Sequence, residues 1–276
     1  MTEVFAPAKV NLTLHVTGQR DDGYHLLDSL VCFPAIGDRL IFTPASEMSL
    51  VVHGAPELPT DGSNLVLKAA DLALPDHPHR IELHKSLPIA AGIGGGSGNA
   101  AAVIRFAAAL KHNLNAAQIV RLGADVPVCI TSQPQRFKGI GEVLAPIDVF
   151  PTSAHILLVN PRVSVSTPQI FNTLTHKTNP AMPDTLPAFE TLDTLVNFIA
   201  AQRNDLQGPA IAQQPVIAEV IDTITNTRGC LFSRMSGSGA TCFGIYRKQD
   251  EALQAAADIR SNFPSWWIEN GALQFQ

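Results

Sequence analysis

Aromatic residues make up only 6% of this 276-residue chain and charged residues only 16%. A nucleic-acid surface wants a basic face and stacking platforms, and a formal net charge of −5 offers the opposite balance. No uninterrupted apolar run is long enough to span a bilayer. The start, Met1-Thr2-Glu3-Val4, lacks the basic and apolar regions of a secretory leader, so a cytoplasmic location is expected. The four cysteines, Cys32, Cys129, Cys230 and Cys242, form no Cys-x-x-Cys pair and read as reduced core residues. The nine histidines show no ligand spacing, since His77 and His79 fall in a proline-punctuated loop with alternating directions, and no protein metal site is expected.

The most telling absence is local. From Leu83 to Ala124 there is no aspartate or glutamate, while Lys85, Arg105, Lys111 and Arg121 fall inside that stretch. Such a region in an acidic chain suits an anionic ligand. Within it lies Leu87-Pro88-Ile89-Ala90-Ala91-Gly92-Ile93-Gly94-Gly95-Gly96-Ser97-Gly98-Asn99, followed by an alanine-rich helical run to Leu110. Glycines let a backbone approach a ligand closely, Ser97 or Asn99 can cap the helix, and the first amides of a helix attract anions. The loop therefore reads as a phosphate cradle, with positive φ expected at Gly95. A plain flexible connector is the alternative.

Hydrophobic content of 46% supports a substantial core, and the length suits two modest lobes. Strands are expected within Val4 to Val16, at Arg39 to Phe42, Ser49 to His53, Arg80 to His84, His155 to Asn160 and Cys242 to Tyr246. Helices are expected at Asn64 to Leu74, after the glycine loop, from an Asn115 cap to a Gly123 stop, and at Leu192 to Ala201, Pro215 to Thr225 and Asp250 to Phe263. Asn172 to Pro187 reads as a proline-containing loop. The pattern is α+β, with a boundary at Phe150-Pro151-Thr152-Ser153 dividing 1–150 from 151–276.

Three further segments carry chemistry. In Pro7-Ala8-Lys9-Val10-Asn11-Leu12 a lysine interrupts an apolar strand; alone it is more often a strand-edge lysine. Gly123-Ala124-Asp125-Val126-Pro127 sets an aspartate among apolar residues, with Pro127 biasing Val126 toward extended backbone. A buried carboxylate needs a partner, which a lysine supplies, although Asp125 could equally be a simple cap or a salt-bridging residue. Ser236-Gly237-Ser238-Gly239-Ala240 is either a second anion nest or a tight turn.

Taken in order with Gly23-Tyr24-His25 and Gly139-Ile140-Gly141-Glu142, these segments resemble the superfamily of galactokinase, homoserine kinase, mevalonate kinase and phosphomevalonate kinase. Gly23-Tyr24-His25 and Gly-Ala-Asp-Val-Pro are similar to its branch acting on a cytidyl-bearing methylerythritol in non-mevalonate isoprenoid precursor synthesis. The resemblance implies a ribosomal-protein-S5-like N-terminal lobe and a ferredoxin-like C-terminal lobe. It also implies transfer of the γ-phosphoryl group of ATP to the substrate's 2-hydroxyl, with Mg2+ held mainly by the ATP phosphates. Asp125 would be the base and Lys9 its charge partner. Residues Pro88, Ile89, Ala90, Ala91, Gly92, Ile93, Gly94, Gly95, Gly96, Ser97 and Gly98 would grip the nucleotide phosphates, and Asn64, Leu65, Val66 and Lys85 would lie near adenine. Tyr24 and Phe171 would enclose the cytosine, His25 would read its edge, and Asn11 and Thr167 would add contacts. Gly98, Val31 and Ser132-Gln133-Pro134-Gln135 depart from the superfamily pattern.

Two rival classes are weaker. A dinucleotide-binding oxidoreductase needs an acid about twenty residues after its glycines, and the acid-free stretch has none. A noncatalytic binder, including one for RNA, does not require Lys9 and Asp125 together, and the net charge opposes RNA. A related kinase with a non-cytidyl alcohol substrate is opposed by Gly23-Tyr24-His25 and Phe171.

Overall fold

The computed structural model describes residues 1–275. In chain order its first elements are β1 (Thr2–Pro7), β2 (Val10–Asn11), β3 (His15–Gln19), β4 (His25–Cys32), β5 (Gly37–Pro44), β6 (Ser49–His53), α1 (Leu65–Ala73) and β7 (His79–His84). The middle of the chain forms α2 (Gly95–Ala109), α3 (Ala116–Leu122), α4 (Val126–Ile130), β8 (Gln135–Gly139), β9 (Val143–Pro146) and β10 (His155–Asn160). The rest forms α5 (Thr167–Asn172), α6 (Leu192–Ala200), α7 (Gln207–Gln213), α8 (Val216–Thr225), β11 (Cys230–Met235), β12 (Cys242–Tyr246), α9 (Gln249–Asn262) and β13 (Trp267–Ala272). No helix among the described residues is long and apolar enough to cross a membrane.

The chain folds into two compact units that are discontinuous in sequence. The first is Met1–Ala8, Gly37–Ile89 and Gly94–Ser132; the second is Lys9–Ile36, Ala90–Ile93 and Gln133–Gln276. The segment Phe150-Pro151-Thr152-Ser153 lies inside the second.

In the first unit the sheet order is β1-β5-β7-β6. β1 and β7 flank β5 antiparallel, while β6 and β7 run parallel because α1 provides the crossover between them. Leu40, Phe42, Ile81 and Leu83 share a core with alanines of α1 and α2 and with Val103 and Phe106. Small side chains let the helices lie close to the sheet, and Phe42 and Phe106 fill the remaining space with their rings stacked 4.0 Å apart.

In the second unit β2-β4-β8-β9 form one sheet with β3 paired to β4. A second sheet has the order β11-β12-β10-β13, antiparallel throughout. Helices intervene between β10 and β11, and α9 lies between β12 and β13, which is the βαββαβ order of a ferredoxin-like fold. The α+β class is therefore as expected.

The expected helices fall within a residue or two of those observed, and Asn115 closes a full capping box with Gln118. The region around Asp125 differs. Val126 and Pro127 are not extended but begin helix α4, where the missing N–H of a proline in the first turn costs no hydrogen bond. Helix α7 and strands β11 and β13 are additional elements, built from short mixed-polarity segments without clear periodicity. The expected loop after Asn172 contains no helix or strand before Leu192.

Candidate active site

Two glycine-containing loops of the second unit are locked together through their backbones. Gly92 has φ of +72° and Gly237 +56°, a left-handed region that glycine adopts without strain. A Cβ on Gly92 would lie 2.6 Å from the carbonyl oxygen of Gly239, and one on Gly237 would lie 2.6 Å from that of Gly92. The Ser236 hydroxyl donates to the Gly92 carbonyl at 3.2 Å and accepts the Asn11 N–H at 3.0 Å. The Thr241 N–H donates to Ala91 O at 3.3 Å, and the Lys9 N–H to Ile93 O at 2.9 Å. Residues 90–93 are thereby held against both β2 and the loop before β12.

The Ser236 to Ala240 loop is accordingly a brace. Asn204 Nδ2 donates to the carbonyls of Met235 and Gly237 at 2.9 Å each, and Ser238 Oγ lies 2.7 Å from Thr167 Oγ1. Thr167 is thus brought to the same loop cluster as the expected phosphate residues.

Lys9 is buried, with its ammonium 5.5 Å from the centroid of the Phe137 ring, a cation–π arrangement that offsets part of its desolvation. Asn11 is buried one pleat further along, and its Nδ2 donates to Ser29 Oγ at 2.8 Å. Both residues are in place through the pairing of β2 with β4, which sets Val10 opposite Cys32 and Asn11 opposite Val31. Val31 itself is fully buried.

In the first unit the glycine loop enters α2 through Gly94, whose φ of +65° marks the cap residue. Neither Ser97 nor Asn99 caps the helix; both lie within it, and no side-chain capping bond is present. The first-turn amides of this 15-residue helix thus have no side-chain cap, and that is the condition under which a helix start accepts phosphate. Positive φ falls on Gly92 and Gly94, not on Gly95, which is already helical. A Cβ on Gly98 would approach Pro7 O to 3.2 Å, tighter than most real contacts, so the absence of a side chain there has a local steric reason.

The acid-free stretch is less positive in space than in sequence. The Lys85 ammonium is buried against Asp38 at 2.5 Å, and Asp38 also accepts the N–H groups of Ser86 and Leu87. Lys85 Nζ lies beneath the start of α2, 3.3 Å from where a Gly95 Cβ would be. Arg105 donates to Phe5 O at 2.6 Å and to Cys129 O and Ser132 Oγ at 3.1 Å each, tying the carboxyl end of α4 to β1. Two of the four cations are therefore internal supports. The anion attraction expected from the sequence would rest more on backbone amides than on free side-chain charge.

Asn64 caps α1, accepting the Val66 N–H at 3.0 Å and donating to Pro59 O at 2.7 Å. Val66 is buried and Leu65 half-buried beside it. Asp125 occupies the cap position of α4 without making a side-chain capping bond, so the capping role is not the one it plays.

His25 and Phe171, far apart in sequence, stack with ring centroids 4.7 Å apart and planes at 23°. Burial, and secondarily the nearby Lys177 charge, lowers the His25 pKa and favours the neutral ring. His25 Nε2 is buried without a hydrogen-bond partner. Tyr24 is 57% exposed beside it. The aromatic face of Phe171 thus meets His25, a pairing the sequence does not announce. Asp38 is a positioning residue that sequence reasoning passes over, while Ser236, which the sequence assigns to an anion nest or a tight turn, proves to be part of a brace. Asp38 has a signal, being a charge in the same inward-facing row of β5 as Leu40 and Phe42.

Residues 64–140 match the profile of the GHMP kinases N terminal domain, and residues 185–265 match that of GHMP kinases C terminal. The chain belongs to the GHMP kinase family. Among curated GHMP kinase relatives, 4-diphosphocytidyl-2-C-methyl-D-erythritol kinase of Cereibacter sphaeroides is 50% identical over 273 residues, 98% of each chain. The enzyme of the same name from Ruegeria pomeroyi is 50% identical over 275 residues, again 98% of each. A crystal structure of 4-(cytidine 5'-diphospho)-2C-methyl-D-erythritol kinase superposes over 100% of both chains with a TM-score of 0.80 at 30% identity. The Methanococcus jannaschii mevalonate kinase, at 15% identity and a TM-score of 0.62, shares the GHMP kinase fold. The glycine loop lies within the N-terminal match, and the Ser236 brace within the C-terminal one.

Proposed function

We propose that this GHMP kinase transfers the γ-phosphoryl group of ATP to the 2-hydroxyl of 4-diphosphocytidyl-2-C-methyl-D-erythritol. The observation that carries the reading is half identity, over nearly the full length of both chains, to relatives named for that activity. A lobe division near Phe150 belongs to the same proposal, supported by profile matches on either side of it.

The chemistry follows from the residues. The amides of residues 94–97 and the braced 90–93 backbone would receive the ATP phosphates, with Asn64, Leu65, Val66 and Lys85 on the adenine side. Asp125 would accept the proton as the substrate oxygen bonds to the γ-phosphorus, while the bond to the β–γ bridging oxygen breaks and ADP departs. Lys9 would counter negative charge around the transferring group. Mg2+ would be held mainly through the phosphates, where it neutralises their charge. Among the described residues, Asn99 Oδ1 on α2 is a buried oxygen with no hydrogen-bond partner, a donor of the kind magnesium takes. Phe171 and Tyr24 would enclose the cytosine, the neutral His25 would meet its polar edge, and Asn11 and Thr167 would contact the rest of the substrate. Turnover in the cytoplasm is part of the reading.

An ATP-consumption assay across the cytidyl substrate, mevalonate, homoserine and galactose tests the proposal. Turnover of the cytidyl alcohol alone is expected; preferential turnover of another alcohol would move the chain to a different branch of the family.

A further inference from the structure

The parallel edge of the first sheet places three metal-ligand side chains at one point. His53 ends β6 and stands in register with His84 at the end of β7. Glu82 lies two residues before His84 and therefore on the same face of β7. The three offer donor atoms that all lie within 4.8 Å of one another. His53 Nε2 is 3.2 Å from Glu82 Oε2, and the two imidazoles stack with centroids 4.5 Å apart. None of these residues belongs to the phosphoryl-transfer machinery described above.

We propose that His53, Glu82 and His84 form a binding site for a late first-row divalent cation, with zinc the preferred ion. Two neutral imidazoles and one carboxylate are the donor set that such ions select, and three protein donors leave a fourth position for water. His84 Nε2 is buried and has no hydrogen-bond partner, so a cation there would satisfy an acceptor that the protein leaves unpaired. The other carboxylate oxygen of Glu82 pairs with Arg80 at 3.5 Å, leaving Oε2 on the His53 side. The backbone beneath is fixed by the β6–β7 ladder and by the Lys85 N–H donating to His53 O at 2.9 Å. Zinc–nitrogen bonds of roughly 2.1 Å imply ligand separations of about 3.4 Å in a tetrahedron. The set must therefore close by a small side-chain rotation, which the exposed His53 can make. The isolated His77–His112 ring pair, with centroids also 4.5 Å apart, serves as an internal control.

Calorimetric titration of the full-length, nucleotide-free protein with zinc, together with the visible spectrum of the cobalt(II) form, tests the site. The expected result is one saturable site with the intense absorption of four-coordinate cobalt, and a zinc-dependent rise in Tm. H53Q and H84Q should each weaken zinc binding by at least about tenfold, with E82Q weaker in effect; one lost ligand interaction of about 1.4 kcal/mol corresponds to tenfold. H77Q/H112Q should leave binding unchanged. No saturable binding, or binding that survives H53Q/H84Q in a variant whose far-ultraviolet circular dichroism is native, would overturn the assignment.

Discussion

At Gly92 an added side chain meets backbone on two sides, whereas at Gly96, four residues later, a Cβ meets nothing within 4 Å. The two positions should therefore diverge on substitution. G92V combines left-handed φ with a collision against Gly239, and backbone strain alone costs about 1–3 kcal/mol; a clear fall in Tm with a raised ATP KM is expected. G96A should keep a native Tm, and equal destabilisation by the two would remove the brace from the account. Asp125 is tested separately: D125N should hold ATP with near-native affinity while kcat falls by about two or more orders of magnitude, the range for a lost positioned base. Near-native turnover would take Asp125 out of the mechanism. Stacking on a base is worth on the order of 1–3 kcal/mol, so F171A should raise the cytidyl-substrate KM by roughly one to two decades. The ATP KM should stay as it was, and the reverse pattern would exchange the two pockets.

Among the elements, the irregular segment after α5 shows how a loop without secondary structure is held. Arg136 on β8 grips Asp28 on β4 with two bonds of 2.7 Å, both side chains being almost fully buried. The same guanidinium donates to the carbonyls of Pro183 at 2.8 Å and of Met182 and Asp184 at 3.1 Å. Asp28 in turn accepts the Met182 N–H at 2.9 Å. Removing Arg136 leaves the Asp28 charge buried without its partner and takes this donor from three carbonyls. R136L should therefore cost about 3–5 kcal/mol, read as a shift in the urea midpoint at constant m-value. A loss below 1 kcal/mol would mean the segment is anchored elsewhere.

For the whole molecule, the stability of the native state should fall on mild acidification. His15 is fully buried; Pro180 O lies 3.1 Å from Nδ1, and Nε2 accepts the Arg203 N–H at 3.3 Å. Accepting that bond requires an unprotonated Nε2. Burial first, and the Arg203 charge second, hold its pKa below the usual 6.5. The unfolded chain then binds more protons than the native one below about that pH, so the stabilisation is complete above it and is lost as pH falls toward the native value. His25 shifts in the same direction. The urea midpoint should drop between about pH 7.5 and 5.5, and H15Q should flatten that drop without abolishing it. A wild-type midpoint that rises on acidification would contradict this assignment.

The sequence by itself determined the elements whose cues are local. Helix α3 could be read from Asn115 and Gly123, strand β10 from an apolar run, and the loop before α2 from its glycines, because capping, periodicity and backbone freedom act within a few residues. The kinase family was legible too, since its motifs are short and ordered. Only the tertiary structure decided what those motifs lean on. That Gly92 needs its hydrogen to pass Gly239, that Lys85 is spent on Asp38, and that His25 turns its face to Phe171 are long-range contacts. So is the gathering of His53, Glu82 and His84, which depends on the register between two strands separated by a helix. Proline at position 127 marks the same limit: its fixed φ suits an extended chain or a first helical turn equally well, and packing of α4 against α2 chose the helix.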